Sequence, residues 1–210
     1  MAGQNTRLRA LIPVKTLSSV KTRLAPALTL SQRETLVLEM LRHVIEALNG
    51  SGLLERVAVV SPDEEVLRQA SAWGAVSLLE AAPGHNPALH AAALQELAGG
   101  ATALLTISAD LPLLQPRDVQ ALFARLAHVP VVLAPSHDGS GTNALLLRPP
   151  LALPYLFGPN SLQRYLEAAA EKRLEHALYQ SVGTALDIDT PADLHLLERH
   201  RRQTQAHLAS

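Results

Sequence analysis

VPVVLAPSHDGSGTNALLLR, residues 129–148, holds two apolar runs of strand length separated by a six-residue polar turn, SHDGSG (136–141). No crossover helix fits between them, and a parallel connection needs a dozen or more residues. The two runs must therefore pair antiparallel or diverge into different sheets. The chain before them reads differently. Short apolar runs alternate with segments of helical period, as in an α/β domain with a largely parallel sheet. The stretch at 129–148 turns that pattern into a mixed one. The expected fold class is a three-layer α/β arrangement around a mixed, mostly parallel sheet.

Working outward toward the N-terminus, PRDVQALFARLAH (116–128) reads as a helix and ATALLTIS (101–108) as a strand. PALHAAALQELAGG (87–100) is a helix, AVSLLE (75–80) a strand, PDEEVLRQASAW (62–73) a helix ended by Gly74, and RVAVVS (56–61) a buried strand. Ser31 to Glu34 has capping-box spacing and opens a helix that carries Leu36, Met40, Val44 and Leu48 on one stripe before Asn49-Gly50. LRALIPV (8–14) is the first strand. Toward the C-terminus, NSLQRYLEAAAEKRL (160–174) is helical and HALYQSV (176–182) a short strand. PADLHLLERHRRQTQAHL (191–208) is a terminal helix with Pro191 in its first turn.

With 210 residues, 22.5 kDa and 48% hydrophobic composition, the chain is expected to form one domain over 1–210 with a substantial core. A formal charge of −1 argues against nucleic acid as a partner, which requires clustered phosphate contacts. The absence of Cys removes disulfides, thiolate nucleophiles and thiolate metal sites. MAGQNTRLRA lacks the long apolar core of a signal peptide, and no apolar run is long enough to span a bilayer. A soluble cytoplasmic protein with no membrane partner is expected.

In parallel α/β sheets ligands gather beyond the C-terminal ends of the strands. Those positions are polar here. The first strand is followed by PVKTLSSVKTRLAP (13–26), which carries Lys15, Lys21 and Arg23. Of the 18 basic side chains the lysines are Lys15, Lys21 and Lys172, so two of them fall in this loop. Ser61 and Asp63 follow the second strand, Asp110 follows the fourth in SADLPLL, and LDIDTPADL brings Asp187, Asp189 and Asp193. A nucleoside triphosphate needs cations for its phosphates and carboxylates for a bridging Mg²⁺. The bland alternatives are a solvated basic face, a turn role for Asp110, and a helix cap for Asp189.

PVKTLSSVKTRLAPALT, SADLPLL, GTNALLL, FGPNS and DIDTPADL, in this order, resemble the 2-phospho-L-lactate guanylyltransferase family of deazaflavin coenzyme F-420 biosynthesis. The likeness runs from about Leu8 to about Leu197. It implies a nucleotide-diphospho-sugar transferase, glycosyltransferase-A-like fold that joins GMP from GTP to a small phosphorylated three-carbon acid and releases pyrophosphate. The acid is 2-phospho-L-lactate, phosphoenolpyruvate or 3-phosphoglycerate. By the same resemblance Lys15, Lys21 and Arg23 would hold the triphosphate, and Asp110 with Asp187 or Asp189 would hold Mg²⁺. Thr142, Asn143, Gly158 and Ser161 would meet the acceptor, and Asn86 in GHNPAL would lie near the nucleoside beside Ser61 and Asp63. A homodimer and a functional coupling to a downstream transferase are compatible with it.

FGPNS also places Ser161 at the mouth of a helix, where free N–H groups and the dipole favour an anion. Tyr165 stands where family members often carry His, and four residues past Ser161 it is expected to face the same pocket. No His is assigned a catalytic role, because the acceptor phosphate is already an anionic nucleophile. The competing readings are another acceptor, a sugar phosphate or molybdopterin, and a noncatalytic nucleotide-binding module. The first loop lacks the glycine-rich motif of the former, and the paired acidic residues argue against the latter.

Overall fold

A computed structural model describes residues 6–208. The first five residues, part of the stretch read above for a leader, lie outside the described residues. β1 (Leu8–Pro13), β2 (Arg56–Ser61), β3 (Val76–Leu79), β4 (Ala103–Ile107), β5 (Val131–Pro135), β6 (Thr142–Leu147) and β7 (His176–Leu178) form one sheet in the order β3-β2-β1-β4-β6-β5-β7. β1 pairs parallel with β2 and β4, β2 with β3, and β5 with β7. β6 alone runs against its neighbours, antiparallel to both β4 and β5. The turn at 136–141 thus produces a hairpin whose second strand inserts between β4 and β5, with a register shift at Ala134/Pro135.

The helices are α1 (Leu30–Gly50), α2 (Glu64–Ala72), α3 (His85–Ala98), α4 (Pro116–Arg125), α5 (Ser161–Glu171), α6 (Val182–Ala185) and α7 (Pro191–Leu208). Alternate side chains of each strand face opposite sides of a sheet. Ala10 and Ile12 join the core made with Met40, Leu41, Val44, Ile45 and Leu48 of α1. Leu11 joins the other, made with Leu89 and Ala93 of α3 and Tyr165 and Ala169 of α5. Both sheet faces are covered, which is why the strands read as near-continuous apolar runs.

Three element boundaries differ from the sequence reading. The cap of α1 is Thr29, whose hydroxyl accepts from Gln32 N–H while Gln32 answers to Thr29 N–H, so the capping box begins two residues before Ser31. α3 starts at His85 behind Gly84, with Pro87 inside its first turn. The strand read over 176–182 stops at Leu178, because Ser181 and Thr184 form a capping box that starts the one-turn helix α6.

α6 rests on Asp118, a buried carboxylate that accepts from Tyr179 Oη (2.7 Å) and Gln115 N–H (2.9 Å). A Cβ on Gly183 would strike that carboxylate and lie 2.7 Å from the Leu113 carbonyl oxygen. Gly183→Ala should therefore cost about 1–3 kcal/mol through overpacking. Urea unfolding measures it, and an unchanged midpoint would refute the contact.

Candidate active site

The C-terminal ends of β1 and β4, the β5–β6 turn and the start of α5 surround a cleft of about 1030 Å³. Lys15, Lys21, Arg23, Asp110, Thr142, Asn143, Gly158, Ser161, Asp187 and Asp189 all line it. The β1 loop packs its apolar residues against the domain. Leu17, Val20 and Leu24 are buried beneath it, Leu17 N–H donates to Asp63 Oδ2 (2.8 Å), and Arg33 Nη1 donates to the Val20 carbonyl (2.8 Å). The apolar residues anchor the loop, while Lys15 and Arg23 stay exposed at the cleft.

Lys21 behaves differently from the other two cations. Its backbone is left-handed (φ 47°, ψ 44°), a conformation that costs a side-chain-bearing residue about 1–2 kcal/mol. Its ammonium donates to Asp110 Oδ2 and to Asp189 Oδ1 (2.7 Å). Burial opposes the charged ammonium, but the charges of Asp110 and Asp189 outweigh it and hold its pKa above the ordinary value. Burial likewise opposes the Asp189 carboxylate, and the nearby Lys21 charge overcomes it, lowering that pKa. Asp187 has no such partner: burial, then the charge of Asp110, pushes its pKa up.

Asp189 does not cap α7. Asp193, in the first turn of the helix, instead holds the residues before it, with Oδ2 accepting from Thr190 N–H (2.7 Å), Thr190 Oγ1 (2.9 Å) and Asp189 N–H (3.0 Å), and the Asp189 side chain enters the cleft. Asp110 is tied to the same segment, since its carbonyl accepts from Ile188 N–H (3.2 Å). Asp110 Oδ1 is buried with no hydrogen-bond partner. An orphaned carboxylate oxygen beside two further carboxylates suits a hard divalent cation, which takes oxygen ligands. Asp110, Asp187 and Asp189 are the residues that could hold Mg²⁺. As placed, no group of three or more His, Asp or Glu side chains closes around one point among the described residues, and Lys21 stands between Asp110 and Asp189.

Thr142 in the same cleft is buried and its Oγ1 has no partner, while Gly158 (φ 124°) holds a conformation that a side chain would strain. Ser161 opens α5 within the same cleft. The free N–H groups expected behind it are already used: Ser161 N–H donates to the Gly158 carbonyl (3.1 Å) and Leu162 N–H to the Ser140 carbonyl (3.3 Å). The helix dipole and the hydroxyls are what remain for an anion there.

Four expected contacts are placed otherwise, and a fifth residue, Asn143, lines the cleft with its amide nitrogen engaged. Ser61 is fully buried, its hydroxyl accepting from Asp63 N–H (3.1 Å); Asp63 Oδ1 caps α2 through Glu65 and Val66 N–H (3.0 and 3.4 Å). Neither lines the cleft. Asn86 clamps Phe157, donating to its carbonyl and accepting from its N–H at 3.0 Å each, so its amide supports the FGPNS segment from behind. Asn143 spends its amide on the Thr184 and Ala185 carbonyls and on Asp187 Oδ1, all at 3.1 Å, and so positions Asp187. Tyr165 is fully buried and accepts from Leu156 N–H (2.9 Å), its ring behind Phe157 of the cleft lining and not itself in that lining.

Two imidazoles escaped the sequence reading. His137 sits in the β5–β6 turn with Nδ1 3.8 Å from Asp187 and Nε2 3.7 Å from Asp193. His85 lines the cleft, and burial together with the charge of Lys15 lowers its pKa. Position supplied the only signals, one just past a strand end and the other beside the Asn86 already singled out.

Residues 8–208 match the family described as Guanylyl transferase CofC like. The chain is 45% identical over 190 residues to phosphoenolpyruvate guanylyltransferase of Rubrobacter xylanophilus, covering 90% of this chain and 92% of that one. It is 34% identical over 197 residues to 2-phospho-L-lactate guanylyltransferase of Methanothermobacter thermautotrophicus, covering 94% and 86%. A crystal structure from Desulfovibrio desulfuricans described as a nucleotide-diphospho-sugar transferase superimposes with a TM-score of 0.79 at 19% identity, covering 93% of this chain and 87% of that one, and shares the fold. Strand ends that bring cations, carboxylates and hydroxyls to one cleft, and a match along nearly the whole sequence, agree: the chain belongs to the CofC-like guanylyltransferase family.

Proposed function

We propose that this guanylyltransferase moves GMP from GTP to phosphoenolpyruvate. The observation that carries the reading is that one cleft is lined by exposed cations (Lys15, Arg23), three carboxylates (Asp110, Asp187, Asp189) and two hydroxyls (Thr142, Ser161). Such a lining suits a triphosphate together with a compact anion. The relatives support this choice of acceptor: one named for phosphoenolpyruvate is 45% identical, one named for 2-phospho-L-lactate 34%.

An oxygen of the acceptor phosphate attacks the α-phosphorus, a new P–O bond forms, and the bond to the β-bridging oxygen breaks, pyrophosphate leaving with the electron pair. No proton has to be removed, because the phosphate is anionic at neutral pH. Lys15 and Arg23 take the outer phosphates and neutralise the leaving group. Asp110, Asp187 and Asp189 would hold Mg²⁺, which when bound draws charge from the α-phosphate and the leaving pyrophosphate. Thr142 and Ser161 fix the acceptor in line. Positioning and fixed charge thus supply most of the rate. The wider reading is a cytoplasmic enzyme of coenzyme F-420 biosynthesis whose product is consumed by a downstream transferase.

Pyrophosphate release from GTP with each of the three acids tests this, with phosphoenolpyruvate expected to give the highest kcat/KM. A higher value for 2-phospho-L-lactate or 3-phosphoglycerate would change the acceptor, and no release with any acid would remove the reaction. Ser161→Ala should raise the acceptor KM by roughly ten- to a hundredfold, the worth of a hydrogen bond to a charged group, and leave GTP affinity within about twofold. A variant that loses GTP with normal acceptor kinetics would move Ser161 from the acceptor to the nucleotide.

A further inference from the structure

Three cations were available to this cleft, and only one of them is committed. Lys15 and Arg23 are exposed, whereas the Lys21 side chain is 11% exposed and its ammonium is held by Asp110 and Asp189 at once. Those are two of the three carboxylates fitted to Mg²⁺, and the remaining oxygen of Asp110 is buried without a partner. Mg²⁺ approaches its oxygens to about 2.1 Å. An ammonium on the same oxygens would sit within a few ångströms of a doubly charged ion, where like charges repel. The two cations exclude one another there. Lys21 is also the residue of this loop with a strained backbone, lying in the left-handed region between the two short 3-10 turns Leu17–Ser19 and Thr22–Leu24. Strain of this kind is kept where the surroundings repay it, and here the repayment is the pair of carboxylates.

We propose that Lys21 is an internal counter-ion that closes the metal position of the nucleotide-free enzyme and yields it to Mg²⁺ when a triphosphate offers the ammonium other anions. The proposal rests on the Mg²⁺ reading above. It makes Lys21 a positioning residue with two stations, the carboxylates in the free enzyme and the phosphates in the complex. It also fixes the thermodynamics: metal and nucleotide must strengthen each other's binding by the same factor. A free divalent ion meets an occupied position, while one that arrives with GTP brings the anion that draws Lys21 away.

Electron paramagnetic resonance of Mn²⁺ reads this without turnover, in the absence of acceptor. Nucleotide-free wild-type protein should bind Mn²⁺ weakly, and a non-hydrolysable GTP analogue should tighten it, after correction for the Mn²⁺·nucleotide complex in solution. Lys21→Met, similar in length and neutral, should bind Mn²⁺ without nucleotide roughly ten- to a hundredfold more tightly than wild type. Its coupling between metal and analogue should be smaller than in wild type. Lys21→Arg, which keeps the charge, should stay near wild type. If Lys21→Met does not fold alone, Mn²⁺ should restore it by replacing the missing cation, and failure of that rescue overturns the proposal. Equal nucleotide-free Mn²⁺ affinity in wild type and Lys21→Met overturns it too, with the metal reading intact. No Mn²⁺ binding in any of these proteins, with or without the analogue, removes the metal reading and the proposal together.

Discussion

Asp110→Asn should leave a folded protein whose kcat/KM is lower by roughly three powers of ten, at the upper end of what a single preorganised charge contributes to a transition state. The side chain keeps its shape, and the backbone link from Ile188 N–H to the Asp110 carbonyl is untouched. What disappears is the charge on an oxygen that is buried and unpaired. Stability should change little, because two effects oppose each other. Lys21 loses one of its two carboxylate partners, while Asp187, whose pKa is raised by burial and by Asp110, loses a like charge beside it. Steady-state kinetics across a Mg²⁺ series, read beside a thermal melt, measure both. Near-wild-type turnover in the folded variant would move the metal to other ligands.

The same residue shows how far the sequence could be read. Asp110, Asp189 and the basic loop were found because chain order places them at strand ends, and the sheet then brings strand ends together. That β5 and β6 do not pair parallel was legible for a similarly simple reason, the shortness of the turn between them, and the structure pairs them antiparallel. That β6 inserts between β4 and β5 was not legible, since strand order is decided by packing distant in sequence. The site was less legible than the fold. Asn86, Asn143 and Asp63 have polar side chains at the right rim, yet each is consumed by backbone groups behind it. A residue type and a position say that a side chain can reach a ligand; the hydrogen-bond partners around it decide whether it remains free to do so. His137 illustrates the converse, an unremarked turn residue brought between Asp187 and Asp193 by contacts across about fifty positions of chain.

Tyr165 carries the other large expectation, and it reverses what its spacing from Ser161 implied. The ring is fully buried in the core formed with Leu153, Tyr155 and Ala169, packs edge-on to Phe157 (5.5 Å, 75°), and its hydroxyl accepts from Leu156 N–H. Tyr165→Ala should cost about 3–5 kcal/mol, the range for deleting a buried aromatic ring. The Leu156 N–H would lose its partner, and segment 156–158 would keep its tie to Asn86, the bond from Arg164 Nη2 to the Leu156 carbonyl and that from Ser161 N–H to the Gly158 carbonyl. Since that segment leads into Gly158 and Ser161, the acceptor KM should rise as well, with GTP affinity largely kept. Tyr165→Phe separates the two contributions: the ring stays, only the hydroxyl goes, and the cost should be about 1–3 kcal/mol for an unsatisfied donor. Its selectivity among the three acids should match wild type, because the hydroxyl points to the backbone and not to substrate. Chemical unfolding and acceptor kinetics on both variants decide the matter. A Tyr165→Ala protein of undiminished stability, with a changed preference among the acids, would return this residue to the pocket wall.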